Sequence, residues 1–270
     1  LSGSVWSGYA TELTEIALIP TEHSLGHVYS AATVACGFRP QRDEGKFMAL
    51  AAHGRVLPAL EHELRRHLSI DDTAGLPVSR LSRGIVQGPY PDRVPMFHNA
   101  RMSHIVAGFN RDDVAATVQY LVGEVVLNVV KHHLAVTGHD TVVVSGGLFA
   151  NVLINRGIGL MPDVRELHVH PGMTDSGIAM GAAAQAYTHR TNRRPSALRD
   201  LGLGPRFSEE EAAQAFRSFG YSERPTTGPV EGALAAALSR GVVVARFEGG
   251  CEYGPRALGH RSILAPAHDP

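Results

Sequence analysis

The strongest periodic signal along the chain lies between Asn110 and Gly138, where Val114, Val118, Leu121, Val125 and Val129 recur at helical spacing. Asn110 is a natural N-cap, and Asp112 and Asp113 put negative charge at the positive end of the helix dipole. The pattern predicts a helix that stops near Gly138. A short β-branched run, Thr141 to Val144, then has the character of a buried strand. It breaks at Ser145-Gly146-Gly147 and enters a helix from Asn151 to Arg156. A second strand, Glu166 to His170, ends at Pro171-Gly172, and Thr174-Asp175 opens a helix of very small residues from Gly177 to Tyr187. Strand, turn and helix alternating in this way predict an α/β fold.

The flanking stretches are less regular. Residues 1–60 are mixed and rich in small side chains, with helical patterning from His23 to Cys36 and from Glu44 to Ala52. Residues 69–107 carry turn signals and many prolines, Gly88-Pro89-Tyr90-Pro91 among them, and read as an irregular connection. Residues 189–206 are basic and rich in Pro, Arg and Gly, which marks a linker and divides the chain into 1–190, a linker over 191–207, and 208–270. Ser208 with Glu211 has capping-box spacing and starts a short helix ending near Phe219. A helix from Glu231 to Arg240 leads to a strand from Val242 to Phe247, and a glycine-rich loop bearing arginines closes the chain.

Composition acts mainly by exclusion. With 270 residues the chain can form one large domain or two smaller ones, and 44% hydrophobic against 19% charged residues is ordinary for a globular protein. The formal net charge of −1 gives no electrostatic reason to expect a nucleic acid or an anionic membrane as partner. No apolar run reaches the roughly 20 residues that span a bilayer. Cys36 and Cys251 match no metal or disulfide spacing, and a reducing, cytoplasmic setting is the simplest expectation. The start, Leu1-Ser2-Gly3, has no initiator Met or signal region, and the end runs out while still reading as folded, so both ends are expected to be cut.

Four segments carry candidate chemistry. The glycines of Ser145-Gly146-Gly147 let backbone approach a ligand, the following helix offers N-terminal amides to phosphate, and Asn151 could bond a ribose or phosphate. A ligand-free tight turn explains the same residues equally well. Asp175 stands at the mouth of the small-residue helix, where a carboxylate either binds a cation or caps. In Arg256-Ala257-Leu258-Gly259-His260-Arg261-Ser262, two arginines five apart among glycines suit bidentate phosphate or carboxylate contacts. Glu44 and Lys46 flank a glycine at a helix start, where Lys46 could reach a phosphate or belong to a solvated charge cluster. His23 and His27 have the spacing of a helical metal pair but lack the Glu of the zincin signature, and are read as structural.

In the same order, these segments resemble the O-carbamoyltransferases of nodulation-factor and antibiotic-tailoring pathways. The resemblance runs from Ser24-Leu25-Gly26-His27 through Asp43-Glu44-Gly45-Lys46, Ser145-Gly146-Gly147 and Met173-Thr174-Asp175-Ser176-Gly177 to Glu252-Tyr253-Gly254-Pro255-Arg256-Ala257-Leu258-Gly259-His260-Arg261-Ser262. One departure is Gly249-Gly250-Cys251, where the family usually carries an Arg-Met pair before the glutamate.

The resemblance implies an actin-like, sugar-kinase-type ATPase domain over 1–190, lacking its N-terminal part. The start of a smaller α/β domain like threonylcarbamoyl-adenylate synthases would follow over 208–270. It implies that ATP with Mg and carbamoyl phosphate give a carbamoyl-adenylate, whose carbamoyl group passes to a hydroxyl of a small-molecule natural product. A divalent metal, Fe(II), would sit in the transfer domain with Asp175 as ligand. Gly146, Gly147, Asn151, Lys46 and Glu44 would serve the nucleotide, and Arg256, Arg261 and Ser262 the carbamoyl phosphate and ATP. A homo-oligomer is compatible with this reading. The alternative is a non-catalytic, nucleotide-binding ATPase-fold fragment. A component of tRNA threonylcarbamoylation is the weaker third reading, because no basic surface is evident.

Overall fold

The computed structural model describes residues 1–81, 98–222 and 228–266. The chain opens with an antiparallel hairpin of β1 (Gly3–Tyr9) and β2 (Glu12–Ile19), with a bulge between Val5 and Trp6. After a 3-10 turn at Thr21–His23 comes α1 (Leu25–Ala35), capped by the Ser24 hydroxyl accepting from the His27 amide at 3.2 Å. α2 (Glu44–Leu50) and α3 (Pro58–Arg65) follow, the latter with proline in its first turn, where no backbone N–H is needed.

The stretch expected as an irregular connection is ordered where it is described. Strands β3 (Leu68–Asp71) and β4 (Leu76–Ser79) pair antiparallel, and α4 (Ala100–Val106) is capped by Asn99. The Asp71 carboxylate closes the hairpin by accepting from the Thr73 and Ala74 amides, both at 2.9 Å. Gly75 completes the turn with a φ of +64°, and a Cβ there would lie 2.0 Å from the His132 ring. Gly88 to Pro91 lie outside the described residues.

The predicted long helix is present as α5 (Arg111–Thr137), capped by Asn110 and stopped by Gly138 in the left-handed region at φ +70°. It is the spine of the fold, packed by α1, α2, α3 and β3. Its Val118, Leu121 and Val122 share one core with Phe47, Leu60, Leu64 and Met102, all with almost no exposure, and Tyr29 meets Phe47 edge-on at 5.3 Å. Among the described residues α5 is also the one helix long and apolar enough to cross a membrane, and 56% of that stretch is buried inside the fold.

β5 (Thr141–Val144), α6 (Val152–Gly159) and β6 (Glu166–Val169) form a strand–helix–strand unit. Its strands are parallel, Thr141 opposite Glu166 and Val144 opposite Val169, so the turns after β5 and β6 leave the same edge. The buried cluster around α5 extends to Val144, Ile154 and Ile158 of this unit. The α/β expectation therefore holds as a mixed fold. Among the described residues the strands form four two-stranded sheets, one parallel and three antiparallel.

Beyond it, α7 (Ser176–Thr191) buries only Gly177, and α8 (Glu209–Ser218) has the full Ser208–Glu211 capping box. α9 (Val230–Ser239) leads to β7 (Val244–Phe247), which pairs antiparallel with β8 (Arg261–Leu264). The expected closing loop thus returns as a strand at Arg261. Part of the linker is tied down as well. The Tyr253 amide donates to the Leu201 carbonyl at 2.7 Å, the Gly204 amide to Cys251 at 2.9 Å, and the Cys251 amide to Pro205 at 3.2 Å.

Candidate functional site

The first turn begins where β5 ends at buried Val144. Gly146 takes a φ of +112°, which an L side chain rarely adopts, and a Cβ at Gly146 or Gly147 would meet nothing within 4 Å. The turn therefore faces open space. Gly147–Ala150 coils as a 3-10 turn before α6. Asn151 caps α6, its side-chain oxygen accepting from the Leu153 and Ile154 amides at 3.1 and 3.2 Å. Its amide nitrogen donates to Gln119 at 2.7 Å, and the Tyr29 hydroxyl donates to the same Gln119 oxygen at 2.8 Å. Asn151 is buried, so its side chain serves the fold and shapes the turn from behind. Burial first, then the negative charge of Glu44, raises the Tyr29 pKa, keeping it a neutral donor in this network.

The second turn follows β6. Asp175 precedes α7 with an exposed carboxylate that makes no capping bond, while Thr174 and Ser176 hydroxyls lie 3.1 Å apart. A Cβ at Gly177 would fall 2.2 Å from the Gly172 carbonyl oxygen, so the turn closes tightly only with glycine there.

The arginine loop docks on both turns. The Tyr253 hydroxyl donates to the Ser176 carbonyl at 3.2 Å, and its ring stands edge-on to His170 at 6.0 Å. Gly254 sits so close to Pro171 that a Cβ would lie 1.9 Å from its carbonyl oxygen. Arg256 crosses the gap and donates to the Ala150 carbonyl on the first turn. Arg261 points elsewhere. Its guanidinium donates to the carbonyls of Glu248 (2.7 Å), Gly249 (3.0 Å) and Pro205 (3.3 Å) and lies 3.5 Å over the Phe247 ring. Ser262 is buried, its hydroxyl accepting from the Gly259 amide at 2.9 Å.

Three of the four predicted segments are thus linked at one mouth, Tyr253 and Gly254 meeting the second turn and Arg256 the Ala150 end of the first. Backbone amides at an open glycine turn and a helix N-terminus, and a guanidinium, are groups with the chemistry to bind phosphate. The fourth segment is set back. The Glu44 carboxylate accepts from the Ser30 hydroxyl at 2.7 Å and the Gln41 amide at 2.6 Å, and Lys46 pairs with Asp43 at 2.9 Å with its side chain 68% exposed. No cluster of three His, Cys, Asp or Glu that could hold a metal occurs among the described residues, and the His23 ring nitrogen is bonded to the Ser79 main chain at 3.2 Å.

Sequence reasoning assigned no role to Glu252, Tyr253 or Gln119. Glu252 accepts from the Leu258 and His260 amides at 2.8 Å and from Arg261 at 3.0 Å. Those backbone bonds, Arg261 foremost, hold its carboxyl down at about 2. Gln119 was detectable as a polar interruption of an apolar helix face, whereas Glu252 and Tyr253 depend on the three-dimensional path of the loop. The Gly250 departure also has a physical reason. A Cβ there would lie 2.2 Å from the Gly202 carbonyl oxygen, in space taken by the linker.

The carbamoyltransferase N-terminal family domain matches residues 2–184 and the carbamoyltransferase C-terminal domain residues 235–270. The chain belongs to the carbamoyltransferase family. It is 28% identical to nodulation protein NolO of Bradyrhizobium diazoefficiens, over 98% of this chain and 47% of that protein. It is 30% identical to the 3'-hydroxymethylcephem-O-carbamoyltransferase of Streptomyces clavuligerus, over 86% of this chain and 40% of the relative. An uncharacterized Synechocystis protein, sll1178, is 32% identical over 97% of this chain and 44% of its own length. The chain spans less than half the length of these curated relatives.

Proposed function

We propose that this chain forms the central part of an ATP-dependent O-carbamoyltransferase, with the mouth described above handling the phosphates of ATP and carbamoyl phosphate. The observation that carries the reading is the reach of Arg256 from the C-terminal loop to the Ala150 carbonyl of the glycine turn. Residues 1–190 belong to the actin-like ATPase unit in this reading, and residues 208–270 begin the adenylate-forming unit. ATP, with its Mg, lies along Gly146, Gly147 and the α7 N-terminus, and carbamoyl phosphate approaches Arg256. Neutralising charge on phosphoryl oxygens is what a guanidinium does in such a site. Carbamoyl phosphate, ATP and water give carbamoyl-adenylate, inorganic phosphate and pyrophosphate, and the carbamoyl group then passes to the hydroxyl of a small-molecule natural product as AMP leaves.

Arg261 and Ser262 act here by holding the loop, because their polar atoms are engaged with main chain. A metal at Asp175 lacks a ready ligand set among the described residues, and no step is assigned to it. The engagement of Arg261 also favours a second reading, a nucleotide-binding unit without catalysis.

Carbamoyl-phosphate-dependent release of pyrophosphate from ATP tests the choice. Arg256→Ala is expected to lower that release at least about 100-fold, the scale for losing one donor aimed at developing charge. ATP binding without pyrophosphate release, in this chain and in one extended to the length of its relatives, would establish the second reading instead.

A further inference from the structure

The chain leaves the sheet after Phe247 at the end of β7 and returns at Arg261 in β8, and the stretch from Glu252 to Arg261 makes the return. Its two ends are joined by one side chain rather than by a ladder. One Glu252 carboxylate oxygen takes the amides of Leu258, His260 and Arg261 at 2.8, 2.8 and 3.0 Å, and the other takes Arg261 again at 3.1 Å. The return is secured a second time by the Gly259 amide on the Ser262 hydroxyl at 2.9 Å. On its outward limb, Tyr253 and Gly254 are pinned to Ser176 and Pro171, and Arg256 extends to Ala150. A closed ring anchored on one side leaves the apex little freedom of direction.

We propose that Glu252 is the positioning residue that closes this ring and aims Arg256 at the glycine turn, which deepens the phosphate-handling role proposed above and rests on it. The arrangement needs a charged acceptor. Three N–H groups converge on one carboxylate, and charge-assisted bonds of this kind are roughly twice as strong as neutral ones. Glutamine has the same length and can keep an oxygen on the three amides, but it loses the charge and sets an NH2 donor against the Arg261 amide. Aspartate keeps the charge on a shorter stem. The depressed carboxyl of Glu252 fits the same geometry, since each amide favours the ionised form.

The test compares wild type, Glu252→Gln, Glu252→Asp, Arg256→Ala and the Glu252→Gln/Arg256→Ala double variant by two readouts. The first is hydrogen exchange at the amides of Leu258, His260 and Arg261. The second is steady-state pyrophosphate release with carbamoyl phosphate varied. Glu252→Gln is expected to speed exchange at those three amides about ten- to hundredfold, with Glu252→Asp in between. Release is expected to fall by a similar factor in Glu252→Gln, and to fall no further when it is added to Arg256→Ala. A residue that merely stabilised the fold would lower release in both backgrounds alike, and that multiplicative result overturns the proposal, as does unchanged exchange in Glu252→Gln. If wild type releases no pyrophosphate, the phosphate-handling reading fails on its own. The exchange arm then decides for Glu252: protection lost in Gln and kept in part by Asp sustains ring closure, and unchanged protection removes it.

Discussion

Docking of the arginine loop turns on a single missing atom, the Cβ of Gly254. Gly254 and Gly259 have nearly the same φ, +106° and +105°, but different surroundings. A Cβ on Gly254 would lie 1.9 Å from the Pro171 carbonyl oxygen and 2.6 Å from its carbon, whereas one on Gly259 would meet nothing within 4 Å. Alanine at either position incurs backbone strain of about 1–3 kcal/mol. Only Gly254→Ala adds a collision with main chain that no rotamer relieves, and overpacking of this kind costs about 1–3 kcal/mol more. The difference between the variants isolates that collision. It corresponds to about 5- to 150-fold in the docking equilibrium. Native-state hydrogen exchange at the Tyr253 amide, bonded to Leu201 at 2.7 Å, reads it directly. Faster exchange in Gly254→Ala than in Gly259→Ala by that factor is expected. Equal rates in the two variants would show that the loop does not rest on Pro171, and the convergence of three segments would lose its central contact.

Two further outcomes follow from the same structure. Gln119→Ala leaves the Tyr29 hydroxyl and the Asn151 amide without their buried partner, and at about 1–3 kcal/mol for each orphaned group it should lower the stability read from urea unfolding by about 2–6 kcal/mol; a loss under about 0.5 kcal/mol would mean the network is not formed. Glu252, lowered from its usual 4.5 to about 2, contributes order to its loop that is complete above pH 4.5 and is lost as the pH falls towards 2. Amide protection at Leu258, His260 and Arg261 followed downward from neutrality should therefore persist at pH 4.5 and fall only below it, and loss already at pH 5 to 6 would contradict the assignment.

Where one local rule dominated, the sequence was readable. Asn110 and Gly138 bracket α5 because cap chemistry and apolar period agree there, and the Ser208–Glu211 box forms as its spacing requires. β5 and β6 stood out as β-branched or apolar runs between turn residues. The hairpin of β1 and β2 did not, because its turn carries Ala10 at a φ of +55° where glycine or asparagine would have signalled it. β3 and β4 are only four residues each, although Asp71 and Gly75 were present as turn residues and could have revealed them. At the site, residue types singled out Arg256 and the two glycine turns separately, and it is the folded chain that brings Arg256 to Ala150 beside the first turn. Residue types could not separate Arg256, which reaches across to the turn, from Arg261, which is bound up in carbonyls of its own unit. That distinction depends on where β8 begins.

The backbone bonds between residues 201–205 and 251–253 also fix where this chain can exchange parts with a relative. A chimera joined after Arg206 would match a C-terminal unit to a foreign strap, and the fit of Gly202 and Gly204 against Gly250 and Cys251 tolerates little change in shape. A seam placed before Asp200 carries strap and loop together as one heritable piece. A side chain at position 250 would need the strap to move at Gly202, so the two segments constrain each other's sequence.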